Sequence, residues 1–149
     1  MPKLYIMVGF PGAGKSTYAE KISKETGAKI ISSDNIREEK YGMRQKTIND
    51  KKIFKEMRVR IFNYLSEGKD VICDATNVTI EKRASFLAKD CSGDTEKIAI
   101  VINRPVNVCI EQNSKREETQ KVPNVAIYTS AKKFVYPTLE EGFDEIREV

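Results

Sequence analysis

One stretch limits the fold more than any other: Gly9-Phe10-Pro11-Gly12-Ala13-Gly14-Lys15-Ser16-Thr17. Before it comes Lys3–Val8, an apolar and partly β-branched run that reads as a strand. After it comes Ser16–Thr26, where Tyr18, Ala19 and Ile22 give a helix an apolar side and Gly27 a stop. Small residues between them let the backbone curl with successive N–H groups pointing inward, and the helix adds the positive end of its dipole. The spacing G-x-x-x-x-G-K-S, from Gly9 to Ser16, is that of a loop cradling nucleotide phosphates. Lys15 supplies a mobile point charge for the β- and γ-phosphates, and Ser16 a hydroxyl for Mg²⁺. A tight strand-to-helix turn would explain the glycines but not Lys15-Ser16 at that offset. The loop therefore implies binding of a nucleoside triphosphate through Gly9, Gly12, Ala13, Gly14, Lys15, Ser16 and Thr17. It does not separate a kinase from an ATPase or GTPase.

The rest of the chain alternates in the same way. Strands are expected at Ala28–Ser32, Asp70–Cys73, Lys97–Asn103 and Phe143–Val149, in addition to the first. Between them lie a short helix or turn over Ser33–Lys40 broken near Gly42, and a clear helix over Ile48–Ser66. In that helix Ile53, Met57, Ile61 and Leu65 repeat every four positions, with Phe54 and Phe62 widening the stripe and Gly68 closing it. Thr79 caps a helix running to about Lys89, with Phe86 and Leu87 inward and Gly93 marking a turn; Pro105 and Pro123 open two more. The last of these runs over Asn124–Tyr136. Ile98–Ile102 has no polar side, as befits a strand covered on both faces. The expected fold is α/β: one domain over residues 1–149, a five-stranded parallel sheet with helices on both faces.

Composition narrows the functions. The longest apolar runs, Leu4–Val8 and Ile98–Ile102, are far below the roughly 20 residues of a membrane span. Met1-Pro2-Lys3 leads directly into a strand, so no secretory leader is expected. Cys73, Cys91 and Cys109 form no Cys-x-x-Cys pair, and a reducing cytoplasm is expected. Histidine is absent, so acid, base and cation roles fall to Asp, Glu, Lys and Arg. The net charge is +4, but residues 40–60 alone carry +6, from Lys40, Arg44, Lys46, Lys51, Lys52, Lys55, Arg58 and Arg60 against Asp50 and Glu56. Such a field attracts polyanions, although a solvated helix face would look the same. The last ten residues are acidic.

In an open α/β sheet the working groups gather at the carboxyl ends of strands. Asp34 and Asp74 both follow strand candidates. Asp34, 18 residues beyond Ser16, returns to the mouth of the loop, where a carboxylate takes the proton of an acceptor hydroxyl. The local alternative is a helix cap formed by Ser33 or Asp34. Asp74 suits a magnesium-supporting acid, or else an Asp–Thr–Asn turn with Thr76 and Asn77. Lys115, Arg116 and Lys121 offer guanidinium and ammonium groups near the loop, or a solvated helix end.

With these blocks in order, the chain resembles a P-loop kinase. More closely it resembles the 5′-hydroxyl polynucleotide kinase domain of bacteriophage end-healing enzymes. The resemblance runs through Gly9–Thr17, Ser33-Asp34-Asn35-Ile36-Arg37, Asp74-Ala75-Thr76-Asn77-Val78, Asn113-Ser114-Lys115-Arg116 and Lys121-Val122-Pro123. It implies a P-loop NTPase fold with sheet order 2-3-1-4-5, ATP and Mg²⁺ as cofactors, and a 5′-hydroxyl nucleic acid as substrate. It makes Asp34 the general base, Arg37 a contact to an acceptor phosphate, and Arg116 an arginine over the donor phosphates. It places Asp74, Thr76 and Asn77 in an active-site support loop, and a lid-like segment around 112–123. The family has a second lid arginine where this chain has Gln112. Glutamine brings neither the charge nor the rigid fork. No phosphatase half is expected within these residues, nor any protein partner. A kinase for a metabolite or nucleoside, and an ATPase or nucleotide-dependent binding protein, remain the alternatives.

Overall fold

Alternation along the first strand shows how the molecule is layered. In the computed structural model, which describes residues 1–42, 50–87 and 94–149, β1 (Lys3–Val8) points Leu4, Ile6 and Val8 into one apolar cluster and Tyr5 and Met7 into another. Its strand neighbours do the same: Val71 and Cys73 against Ile72, and Ala99 and Val101 against Ile98 and Ile100. A strand with no polar side is thus a strand with a core on each face.

The element order is β1, α1 (Lys15–Thr26), β2 (Lys29–Ser32), α2 (Ser33–Tyr41), α3 (Asp50–Ser66), β3 (Val71–Asp74) and α4 (Ile80–Leu87). It continues with β4 (Glu96–Val101), α5 (Val106–Ser114), α6 (Asn124–Lys133), a 3₁₀ turn at Leu139–Glu141 and β5 (Glu145–Glu148). The five strands lie in the order β2-β3-β1-β4-β5, and every pairing is parallel. Ile36 of α2, the Ile53–Met57–Ile61–Leu65 stripe of α3 and Phe86 of α4 cover one face. Ala19 and Ile22 of α1, Cys109 of α5 and Ile127 of α6 cover the other.

Several boundaries differ from the sequence expectation. Phe62 does not widen the α3 stripe: one position beyond Ile61 it is turned about 100° away, and it stands 39% exposed. Helix α6 ends at Lys133, because Phe134 takes an extended conformation (φ −58°, ψ 128°). Neither Ser33 nor Asp34 caps α2. The cap is Ser32, whose Oγ accepts from Asn35 N–H at 3.3 Å and leaves the Asp34 carboxylate free for other work. Thr79 caps α4, accepting from Lys82 N–H at 3.2 Å. The expected helix starts and ends at Ile48 and Lys89, the turn at Gly93, and Arg44, Lys46 and Cys91 lie outside the described residues.

Candidate active site

The glycine loop needs its glycines for two different physical reasons. Gly9 follows β1 with its N–H donating to the Thr76 carbonyl at 3.0 Å, and a Cβ there would sit 3.1 Å from the Ile102 carbonyl oxygen. Gly12 has φ +84°, and a Cβ would lie 2.5 Å from the carbonyl oxygen of Cys109 in α5. Gly14 holds the N-cap position of α1 at φ +97°. Few residues other than glycine adopt that geometry without strain.

Lys15 folds back over this loop, and its Nζ donates to the Phe10 carbonyl at 2.9 Å. It is 9% exposed. Burial pushes its ammonium below the ordinary lysine value, against the opposing pull of Asp74 and Asp34. Ser16 Oγ donates to Asp74 Oδ2 at 3.0 Å, so the hydroxyl and the carboxylate meet at the end of β3. Burial raises the Asp74 carboxyl above the usual carboxylate range, while Lys15 and the Ser16 hydrogen bond oppose that rise.

Strand order brings the second acid to the same place. Ser32 is paired with Asp74 across β2 and β3, so Ser33 and Asp34 leave the sheet beside Asp74. Asp34 opens α2 with its side chain 52% exposed. Arg37, one turn later, donates from Nη1 to Asp34 Oδ1 at 2.9 Å and from Nη2 to Asp50 Oδ1 of α3 at 2.7 Å. Its side chain is 3% exposed, and its buried Nε has no hydrogen-bond partner. A planar guanidinium suits this fork between two carboxylates; an ammonium would not span it.

One cleft is lined by Lys15, Ser16, Asp34, Arg37, Asp74, Thr76 and Arg116, with Phe54 and Val122 as apolar walls. Arg116 is half-buried, and its charge is felt by both Lys15 and Asp74. Gln112, four residues earlier, is exposed and is not part of the cleft wall. The segment that carries Arg116 is closed at its base by Asn113, whose Nδ2 donates to the Val122 carbonyl at 2.7 Å and whose Oδ1 accepts from Val122 N–H at 3.1 Å. Asn77 lies behind the cleft. It sits at φ +47°, is 1% exposed, and donates from Nδ2 to the Met7 carbonyl at 2.9 Å, which fastens the Asp74–Asn77 loop to β1.

Four supporting residues carry no individual role in the sequence expectation. Arg83 is fully buried, donates from Nη1 to the Asn77 carbonyl at 3.0 Å, and pairs through Nε and Nη2 with Glu141 at 2.8 and 3.1 Å. Asp50 faces Arg37, and the amide of Asn113 closes the Arg116 segment. Of these, only the placement of Arg83 on the Phe86–Leu87 side of α4 could have raised suspicion, as a charge on an apolar face.

The donor set fits Mg²⁺, which takes hard oxygen ligands and keeps most of its shell from water and phosphate. Ser16 Oγ and Asp74 supply such oxygens side by side. Among the described residues no helix is long and apolar enough to cross a membrane.

Comparison with known proteins agrees with this architecture. The chain is 33% identical over 148 residues to an L-seryl-tRNA(Sec) kinase of Methanococcus maripaludis, a match covering 95% of the chain and 56% of that protein. It is 26% identical over 160 residues to a bifunctional polynucleotide phosphatase/kinase of Schizosaccharomyces pombe, covering 99% of the chain and 33% of the relative. Among solved structures, a chain of the Pnkp1/Rnl/Hen1 RNA repair complex superposes with a TM-score of 0.77 at 26% identity, over 89% of this chain and 43% of that one. The chain therefore spans about half the length of the first relative and a third of the second. The family model described as the AAA domain matches residues 4–136, and with the glycine loop, the parallel 2-3-1-4-5 sheet and the acids at its strand ends, the chain belongs to that family of P-loop nucleotide-binding proteins.

Proposed function

We propose that this domain transfers the γ-phosphoryl group of ATP to the 5′-hydroxyl end of RNA or DNA. The observation that carries the reading is the shared cleft: a half-exposed Asp34 carboxylate faces the same space as Lys15, Ser16 and Asp74. A nucleotide switch without an acceptor has no use for an oriented carboxylate there. The two relatives, named as kinases for an aminoacyl-tRNA and for polynucleotides, support a nucleic-acid acceptor.

Each residue has a distinct task. The loop N–H groups of Gly12, Gly14, Lys15, Ser16 and Thr17 bind the donor phosphates. Lys15 and Arg116 neutralise charge on the transferred group. Ser16 and Asp74 hold Mg²⁺, which when bound screens the donor phosphates. Asp34 accepts the proton of the attacking hydroxyl. Arg37 fixes the Asp34 carboxylate and offers its remaining terminal N–H groups to an acceptor phosphate. Thr76 lines the cleft and Asn77 supports it, while residues 112–123 act as the lid of a single catalytic domain. The buried thiols of Cys73 and Cys109 suit work in a reducing cytoplasm.

The test is transfer of label from γ-labelled ATP with Mg²⁺ to a panel of acceptors. The panel holds 5′-hydroxyl RNA and DNA, nucleoside 3′-monophosphates, L-seryl-tRNA, nucleosides and sugars. Label on 5′-hydroxyl nucleic acid is the expected result. Label confined to L-seryl-tRNA or to a small metabolite would replace the 5′-end reading, and release solely as inorganic phosphate would replace the kinase reading.

A further inference from the structure

The two sides of α3 treat their charges differently. On the side toward α2, Arg60 donates to both carboxylate oxygens of Glu39 at 3.2 Å, and Lys40 approaches Glu56 at 3.7 Å. On the side toward α4, among the described residues, Lys51, Lys55 and Arg58 have no ion-pair partner. These three cations, with Lys82 of α4, line an open groove between the helices. Lys82 stands on this groove with its Nζ 4.1 Å from the centre of the Phe54 ring. The acids in the groove wall are Asp50, already joined to Arg37, and Glu81. Lys51, Lys55 and Arg58, held along a cleft without ion-pair partners among the described residues, attract a polyanion.

The groove is continuous with the candidate active site. Phe54 is a wall of both, and Asp50 at the groove end is bonded to Arg37 at the cleft floor. At its other end the surface continues past Lys55 and Arg58 to Val59 and Phe62, which are 46% and 39% exposed. From Asp50 to Phe62, α3 runs about 18 Å. Cations along a backbone track, with an exposed ring for base stacking, are what a single-stranded nucleic acid needs. A protein partner would draw on the apolar pair alone and leave the cations without a role.

We infer that the α3–α4 groove carries the single strand that continues from the acceptor nucleotide, so that the substrate is an oligonucleotide rather than a mononucleotide. This rests on the proposed transfer to a nucleic-acid end, but it has a readout that needs no catalysis. Fluorescence anisotropy with a labelled 5′-hydroxyl 12-mer measures binding directly, across a salt series. The triple variant Lys51→Ala/Lys55→Ala/Arg58→Ala is compared with wild type and with Lys132→Ala/Lys133→Ala on α6, which covers the opposite sheet face. Lys51 and Lys55 are exposed and Arg58 is half-buried, so a thermal melt checks that the fold is kept, and the double variant Lys51→Ala/Lys55→Ala tests the groove without touching Arg58.

The triple variant should bind the 12-mer at least tenfold more weakly, and the slope of log K against log salt should shrink by about 2, near 0.7 for each lost phosphate contact. The α6 variant should match wild type. In the transfer assay the ratio of kcat/KM for the 12-mer to that for a nucleoside 3′-monophosphate should fall in the triple variant. Equal binding and equal salt slope in the triple variant and wild type would overturn the groove, whatever the transfer assay shows. So would a wild-type protein that does not bind the 12-mer, or a dimer in sedimentation that the triple variant dissolves, since the surface would then belong to a second copy of the chain. Loss of binding in a protein that transfers phosphate to no acceptor would uphold the groove and refute the kinase reading.

Discussion

The two sides of the cleft, proposed for the donor and for the acceptor, are built by different means. On the side proposed for the donor, nine consecutive residues carry the loop, with left-handed Gly12 and Gly14, and distant residues set only its seat: Ile102 beside Gly9 and the Cys109 carbonyl beside Gly12. On the acceptor side Asp34 is set by Arg37, and Arg37 in turn by Asp50 from another helix, 13 residues away. The loop is thus contiguous in sequence, although Asp74, Cys109 and Arg116 around it are not. The acceptor machinery depends on how α2 meets α3, and it can change with the packing of those helices while the donor loop stays as it is.

Substitutions on the two sides test that division. The largest effect is expected from Asp34→Asn, which keeps size and much of the hydrogen bonding but removes the proton acceptor. Single-turnover transfer should fall by about 10²–10⁴ while ATP binding survives. Full transfer by Asp34→Asn, with the loss appearing instead in Asp74→Asn, would exchange the roles of the two acids. Lys15→Ala should lower kcat by about 10²–10³ and, unlike the aspartate change, weaken ATP binding as well. A folded Lys15→Ala protein with normal turnover would remove Lys15 from the donor site.

Arg37→Lys keeps the charge and loses the fork. For an acceptor bearing a 3′-phosphate, kcat/KM should fall about 5- to 150-fold, roughly 1–3 kcal/mol, with ATP affinity nearly unchanged. An equal loss with an acceptor lacking that phosphate would show that Arg37 acts only by positioning Asp34. The smallest effect on transfer is expected behind both sides, where a substitution acts on stability instead. Burial would raise the Glu141 carboxyl, but hydrogen bonds from Arg83 and the Thr138 backbone outweigh it and hold the group below the usual glutamate value. Its contribution to stability is then present above the ordinary glutamate value and is lost as pH falls through the lowered one. Glu141→Gln should cost about 1.5–3 kcal/mol at neutral pH and flatten the acid limb of unfolding. Identical acid limbs in the two proteins would mean that the pair does not titrate with folding.

How much was legible follows the same division. The loop, the alternation of elements and the α3 stripe could be read because they are periodic or contiguous, and Ile53, Met57, Ile61 and Leu65 all lie in the core. Asp34 could be proposed from its place after a strand, whereas strand order and the role of Arg37 came through resemblance, since parallel pairing leaves no local mark. The pairing of Arg83 with Glu141 was not legible at all. The two stand 58 residues apart, and each looks like one more surface charge in a chain where charged residues make up 32%. The cap of α2 is Ser32 and not Ser33 or Asp34: all three are competent caps, and only the change from extended backbone at Ser32 to helix at Ser33 selects among them.

The seat of Gly12 against the Cys109 carbonyl has a mechanical consequence. Helix α5 rests on the glycine loop at a point where a methyl group would already collide, so the absent side chain acts as a shim of fixed thickness between loop and helix. Arg116 follows directly from the end of that helix, its N–H bonded to the Asn113 carbonyl at 3.1 Å. Even the smallest side chain at position 12 would lift α5 and carry the arginine with it. The place of Arg116 in the cleft wall is gauged by an atom the chain does not have.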